Sequence, residues 1–359
     1  MKSIYQYIPE GFRFLLRKYF QKLPIYRSRK SYKDLKRKSY KTRIILLGTP
    51  EYGNLGDHAI AIAELELLKK NFGNYEIIEI TQENLQWDLK GVFSNIQADD
   101  LLIYTGGGFV GSMYLETGGK YLRKILQQFK NNKIIIMPAT IYYDNTDAGM
   151  KEMEFDFALW NSCSDLTVCV RDIESKKNLE KCDKRNFNYN LIPDMVLSLS
   201  YPIATKRDGI GLLFREDQEK NNNIKTEQIK SIIEEQGFCY KNMSTRVPYN
   251  VEPVQRNQEV LLKLEEISNV KLIITDRLHG LIFSIITGTP CIAIDNISKK
   301  LSGVLATINT LPYVRMSKEA VIEEDIKSII DEKIIDLKYN YSSLQEPYIR
   351  LIEIIRSKV

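Results

Sequence analysis

At 359 residues, 43% apolar and 27% charged, the chain has material for about two buried cores and is neither disordered nor fibrous. Its net charge of +5 is uneven: residues 1–43 hold fourteen Lys/Arg against Glu10 and Asp34, which leaves the remainder acidic by seven. Five cysteines (Cys163, Cys169, Cys182, Cys239, Cys291), an odd number without paired spacing, argue against a disulfide frame or a zinc site and for reduced thiols in the cytoplasm.

In chain order, residues 1–42 form a basic arm interleaved with Tyr5, Tyr7, Phe12, Phe14, Tyr19 and Phe20. Such an arm suits an anionic membrane surface, where each Lys or Arg contributes about 1 kcal/mol. It also suits a solvated arm that packs on the body or on a partner protein. Nucleic acid is not expected, because the rest of the chain is acidic and lacks a binding motif. Nor is a secretory signal, since no apolar segment leads to a small-residue cleavage site. The longest uncharged stretch, Leu278 to Ile294, is interrupted by Gly280, Gly288 and Pro290 and is too short to cross a bilayer.

Beyond the arm, apolar runs alternate with helical periodicity. Strands are predicted at 43–48, 75–80, 100–104, 133–138 and 166–172, with helices at 58–72, 118–130 and 150–163 between them. After a short linker near 201–208 the alternation restarts. Strands are predicted at 209–215, near 238–243, at 270–275 and at 291–295, with helices at 226–236, 257–267, 278–287 and, closing the chain, 345–358. Strands apolar throughout imply parallel sheets covered on both faces. The expected architecture is α/β: two doubly wound Rossmann-like lobes, residues 43–204 and 205–359 with the closing helix. Ligands of such sheets bind beyond the strands' carboxyl ends, so the cleft between lobes is the expected site.

Four stretches lie at such ends. In "TGGGFVG", Gly106, Gly108 and Gly111 have the G-x-G-x-x-G spacing, but on an internal strand and without a downstream ribose-binding acid. Bare amides of Gly106, Gly107 and Gly108 at a helix start would cradle an anion; the same glycines would equally serve a tight turn. In "GNLGDHAI", Asp57 is placed to cap the following helix, and with His58 it forms an imidazole–carboxylate pair suited to deprotonating a sugar hydroxyl. In "VRDIES", Arg171 ends a strand and either adds a second positive group to the cleft or serves as a helix cap. In "TDRLHG", Arg277 offers a planar fork for carboxylate or phosphate, and His279 a proton, at a helix N-terminus that favours anions. An ion pair and a hydrogen-bonded histidine tying down a loop is the structural alternative. No cluster of metal-ligand spacing is visible.

Together, and in order, "GNLGDHAI", "TGGGF", "VRDIES" and "TDRLHGLIFSIITGTPCIAID" resemble the polysaccharide pyruvyltransferase family over roughly residues 43–310. The resemblance implies two lobes of the GT-B type, with phosphoenolpyruvate as donor substrate and no cofactor. It implies transfer onto a sugar of a glycan or a lipid-linked oligosaccharide, giving a pyruvate ketal and phosphate. Arg277, Leu278 and His279 match the family's Arg-Leu-His element for donor binding and catalysis, and Arg171 matches a second arginine. Asp57 falls in a Gly-Asp element that usually continues with a small residue, where this chain has His58. On this basis His279 is the expected acid and Asp57, with His58, the base. The arm would then hold the enzyme peripherally on the inner membrane face. Two rivals stand beside this: a GT-B glycosyltransferase using a nucleotide sugar, and a catalytically silent scaffold for glycan assembly.

Overall fold

The computed structural model describes residues 42–201, 206–215, 226–295, 299–308, 311–318, 322–331, 339 and 342–359. The basic arm and part of the linker lie outside these residues. The first lobe is a parallel sheet built from β1 (Arg43–Thr49), β2 (Glu76–Thr81), β3 (Leu101–Tyr104), β4 (Gly107–Gly111), β5 (Lys133–Tyr142), β6 (Asp165–Val170) and β7 (Asn188–Leu191), in spatial order β2-β1-β3-β5-β6-β7. Its covering helices are α1 (Leu55–Asn71), α2 (Gln82–Trp87), α3 (Leu89–Asn95), α4 (Lys120–Gln128), α5 (Asp147–Asn161) and α6 (Ile173–Glu180). All seven residues of β1 and all four of β3 are buried. That is what runs such as "RIILLG" require, since helices cover both faces.

The glycine segment departs from expectation. It is not a loop opening a helix but a strand, β4, which pairs with the second half of the unusually long β5, while β3 pairs with its first half. Gly106 makes the passage from β3 to β4, where a Cβ would stand 2.4 Å from the Pro138 carbonyl oxygen. A π-turn at Leu115–Gly119 then leads into α4.

The second lobe carries β8 (Ile210–Leu213), β9 (Tyr240–Asn242), β10 (Leu272–Thr275), β11 (Cys291–Ile294) and β12 (Val314–Ser317), all parallel, in order β12-β11-β10-β8-β9. Helices α7 (Thr226–Glu235), α8 (Pro253–Ser268), α9 (Leu278–Ile286), α10 (Lys300–Leu305) and α11 (Ile322–Asp331) accompany them. The fold is thus two Rossmann-like lobes of the GT-B type. The closing helix, α12 (Gln345–Arg356), returns to the first lobe. Tyr348 Oη donates to the Asp194 carbonyl at 2.8 Å, and Lys358 pairs with Asp165. One apolar cluster runs continuously across the junction, from Leu55, Ala59 and Met195 to Val260, Leu281 and Leu351. Among the described residues no helix is long and apolar enough to cross a membrane.

Candidate active site

The carboxyl ends of the two sheets face a cavity of about 410 Å³. Its walls include Arg171, Asp57 and Gly108 from the first lobe and Arg215, Arg246, Arg277, Leu278, His279 and Lys300 from the second. The two lobes are stitched beside it by backbone. Leu55 N donates to the Thr245 carbonyl at 2.9 Å and Val247 N to the Gly53 carbonyl at 2.7 Å. The segment ahead of α1 is therefore fixed against the second lobe, which sets the position of Asp57.

Helix α1 starts three residues earlier than its apolar pattern suggests. Asn54 is its cap, with Oδ1 accepting from Gly56 N at 3.2 Å. This releases Asp57 from the capping role expected of it. Its Oδ2 instead accepts from Asn54 Nδ2 at 2.7 Å and from Tyr52 Oη at 3.0 Å, in the cavity wall.

His58 does not reach the cavity, which corrects the expectation of an Asp57–His58 acid/base pair. The ring is fully buried and is not part of the cavity wall. Its Nε2 binds the Tyr52 carbonyl at 2.8 Å and Nδ1 receives Arg256 Nε at 3.2 Å. Burial, reinforced by the Arg256 charge, pushes its pKa down to about 4. Arg256, from α8, continues to Glu79 at 2.7 Å and to the Pro50 carbonyl at 3.3 Å. His58 is thus part of a buried seam between the lobes that supports the Tyr52 backbone behind Asp57.

Of the three glycine amides expected to hold an anion, only Gly108 lines the cavity. Gly106 N is taken by Glu64 Oε1 at 2.8 Å, while Thr105 Oγ1 donates to Glu64 Oε2 at 2.7 Å. Gly107 lies in β4 at φ 134°. Gly108 nonetheless sits in a cationic corner: a Cβ there would lie 3.3 Å from both Arg171 Nη2 and Lys300 Nζ.

Arg171, which follows β6 directly, is buried and held in place. Its Nη1 donates to Asp194 Oδ2 at 2.6 Å and its Nε to Thr140 Oγ1 at 2.9 Å. Arg277 caps α9 through its backbone; its own N–H donates to Thr275 Oγ1 at 3.0 Å, and Nε donates to the Phe214 carbonyl at 3.2 Å. Asp276 does not cap the helix. Its Oδ1 accepts from Arg215 N at 2.8 Å, and burial raises its pKa to about 6. His279 stands in the first turn of α9, where the free helical N–H groups make the field positive. Burial lowers its pKa, Asp194 opposes that, and Arg171 adds to it. Its Nε2 is buried, 3.8 Å from Asp194 Oδ2, and makes no hydrogen bond within the protein.

The arrangement offers several fixed cations, one carboxylate and one unpaired imidazole nitrogen around a space the size of a small molecule. Arg215, Arg246, Lys300, Tyr52 and Asn54 were missed in the sequence. Arg215, Arg246 and Lys300 all follow strand ends, the same position that singled out Arg171 and Arg277, so a signal was present.

Fold and site together define a two-lobed protein of the GT-B type with a cation-lined cavity between the lobes. The chain belongs to the polysaccharide pyruvyl transferase family, whose model matches residues 54–298. It is 32% identical over 325 residues to General stress protein 30 of Bacillus subtilis (strain 168), covering 88% of this chain and 92% of that one. With Pyruvyl transferase 1 of Schizosaccharomyces pombe it shares 25% identity over 284 residues, 71% of this chain and 66% of that one. Among solved structures, protein KP1_0663 from Klebsiella pneumoniae is similar in fold, with a TM-score of 0.51 and 18% identity, covering 86% of this chain and 98% of that one.

Proposed function

We propose that the cavity binds phosphoenolpyruvate and transfers its pyruvyl group, as a ketal, onto a sugar of a cell-surface glycan or its lipid-linked precursor, releasing phosphate. The observation carrying this reading is the convergence of Arg171 and Arg277, from opposite lobes, on one small cavity that also holds His279. A donor with a carboxylate at one end and a phosphate at the other needs cations on two sides. Arg171 and Lys300 meet beside Gly108, and Arg277 and Arg215 line the same cavity. Arginine forks suit both groups.

The chemistry follows from the remaining residues. A proton passes from His279 to the methylene carbon of the donor, making a methyl group and leaving the central carbon electron-poor. One sugar hydroxyl adds to that carbon as its proton passes to Asp57. The second hydroxyl displaces the phosphate; the carbon–oxygen bond to phosphate breaks, and the second proton departs with the leaving group. Burial keeps the empty-site imidazole neutral, and the bound polyanion draws a proton back onto it. Acid/base assistance of this kind supplies about 10²–10⁴ in rate.

The basic arm, residues 1–42, is supported as a membrane-surface element by its charge and its interleaved aromatic residues. On this reading the enzyme works peripherally on the inner membrane face. Removing residues 1–40 should abolish partition onto anionic vesicles; unchanged partition excludes the role.

Incubation with phosphoenolpyruvate and extracted lipid-linked glycans, following phosphate release and a pyruvate mass gain on the glycan, tests the function. A chain stabilised in thermal shift by nucleotide sugars but not by phosphoenolpyruvate would replace the donor.

A further inference from the structure

We propose that Asp194 is a positioning residue that couples donor binding at Arg171 to protonation of His279; the donor's identity rests on the reading above, but the carboxylate's role does not. Asp194 is fully buried and its two oxygens are divided between two tasks. Oδ1 accepts from Val196 N at 2.9 Å and caps the short 3₁₀ turn Met195–Ser198. Oδ2 receives Arg171 Nη1 at 2.6 Å and lies 3.8 Å from His279 Nε2. The residue is held from behind, where Tyr348 of the closing helix donates to its carbonyl at 2.8 Å. A helix cap needs only the first oxygen; the second stands between the buried Arg171 guanidinium and an imidazole nitrogen without a hydrogen bond.

The charges facing the His279 ring are Asp194, Arg171 and Asp57 from the first lobe and Arg215 from the second. Arg277, in the turn ahead of α9, and Lys300, on α10, line the same cavity. In the empty site Arg171 opposes the Asp194 field at the imidazole. Arg171 Nη2 is directed to the Gly108 side of the cavity, where a donor anion would meet it. Once the guanidinium shares its charge with that anion, Asp194 and the anion together favour the imidazolium. Linkage then makes the effect reciprocal: a protonated His279 strengthens donor binding. The acid is thereby armed only when something is present to receive its proton.

The chain has only two histidines, so imidazole NMR can follow His279 directly, with His58→Gln to assign the signals. Saturating wild-type protein with phosphoenolpyruvate should move the His279 titration midpoint to higher pH. Asp194→Asn keeps the Oδ1 acceptor and the turn but removes the charge. It should move the unliganded midpoint to lower pH, at least halve the donor-induced rise, cut kcat at neutral pH by about tenfold or more, and also raise KM, because Arg171 loses its Nη1 partner. Thr140→Val loosens the other anchor of Arg171 without altering any charge; it should raise KM and leave the midpoint in place. An unmoved midpoint in Asp194→Asn, or the same shift in Thr140→Val, overturns the proposal. Should Asp194→Asn not fold, the wild-type titration still decides: donor that binds without moving His279 overturns the coupling. Donor that perturbs no resonance at all overturns the donor assignment instead, while the unliganded Asp194→Asn midpoint still tests Asp194.

Discussion

The imidazole of His279, from the second lobe, packs its Nδ1 edge against Gly56, from the first: a Cβ on Gly56 would stand 2.1 Å from His279 Nδ1. The contact leaves Nε2 as the nitrogen available to substrate. Gly56 has no left-handed backbone to excuse it and sits in the first turn of α1, where alanine would ordinarily gain up to about 1 kcal/mol. Gly56→Ala should therefore fold and still displace the ring. Misplacing an acid by about 1 Å costs on the order of 10²-fold, so turnover should fall by about that much. Retention of more than half the wild-type kcat would show the ring to be free to move.

That contact explains which parts of the molecule were legible in the sequence. The parallel sheets were, because "RIILLG", "KIIIMP" and "VKLIIT" are apolar on both faces and only a doubly covered strand has use for that. The convergence of Arg171 and Arg277 was, because strand ends in such sheets point to one edge. Gly106 reads as part of an anion cradle or a tight turn; the need for closeness at Gly56 and Gly106 comes from His279 and Pro138, distant in sequence. His58 was misplaced because the helix start was set at the apolar pattern rather than at Asn54, which turns the following side chains by several positions. Asp194 was missed because β7, "NYNL", is an edge strand too polar and too short to stand out.

The two arginines should separate by what anchors them. Arg277→Ala removes a half-buried cation from the cavity wall and should raise the KM for phosphoenolpyruvate by about tenfold to a hundredfold, the worth of one charge-assisted hydrogen-bonded contact. Arg171→Ala should cost at least as much in KM and should also lower the melting temperature, because Asp194 is then left buried without its 2.6 Å partner. Steady-state kinetics beside thermal melts check this. Equal stability of the two variants would mean that Asp194 finds another partner.

His58 should matter to stability and not to the chemical step. In His58→Gln the amide can donate to the Tyr52 carbonyl and accept from Arg256, as the neutral ring does, so kcat should stay within about fivefold of wild type. The folded-state pKa is depressed, from 6.5 to about 4. The stabilisation from the neutral ring is therefore present above about pH 6.5 and lost as pH falls toward 4, on the order of a few kcal/mol. Wild-type protein should thus lose stability across that window more steeply than His58→Gln in urea titrations. A loss of turnover beyond a hundredfold in a well-folded variant would restore His58 to the chemistry.

Glu64 titrates in the opposite direction. It is fully buried in α1, and burial raises its pKa from 4.5 to about 8, against the pull of its bonds to Gly106 N and Thr105 Oγ1. A carboxyl whose folded pKa is raised stabilises the fold fully below its unfolded pKa and loses that contribution as pH rises through the folded value. The loss should begin near pH 4.5 and be complete above about 8, amounting to a few kcal/mol. Because Glu64 ties down the start of β4, its ionisation strains the segment that carries Gly108 into the cavity. Glu64→Gln keeps an oxygen for Gly106 N and an amide for Thr105 Oγ1 without ever ionising. Its melting temperature should match wild type near pH 5 and exceed it at pH 9, and its activity should decline less on the alkaline side. Melting curves of the two proteins that run parallel from pH 5 to 9 would mean that the buried carboxyl never releases its proton in the folded chain.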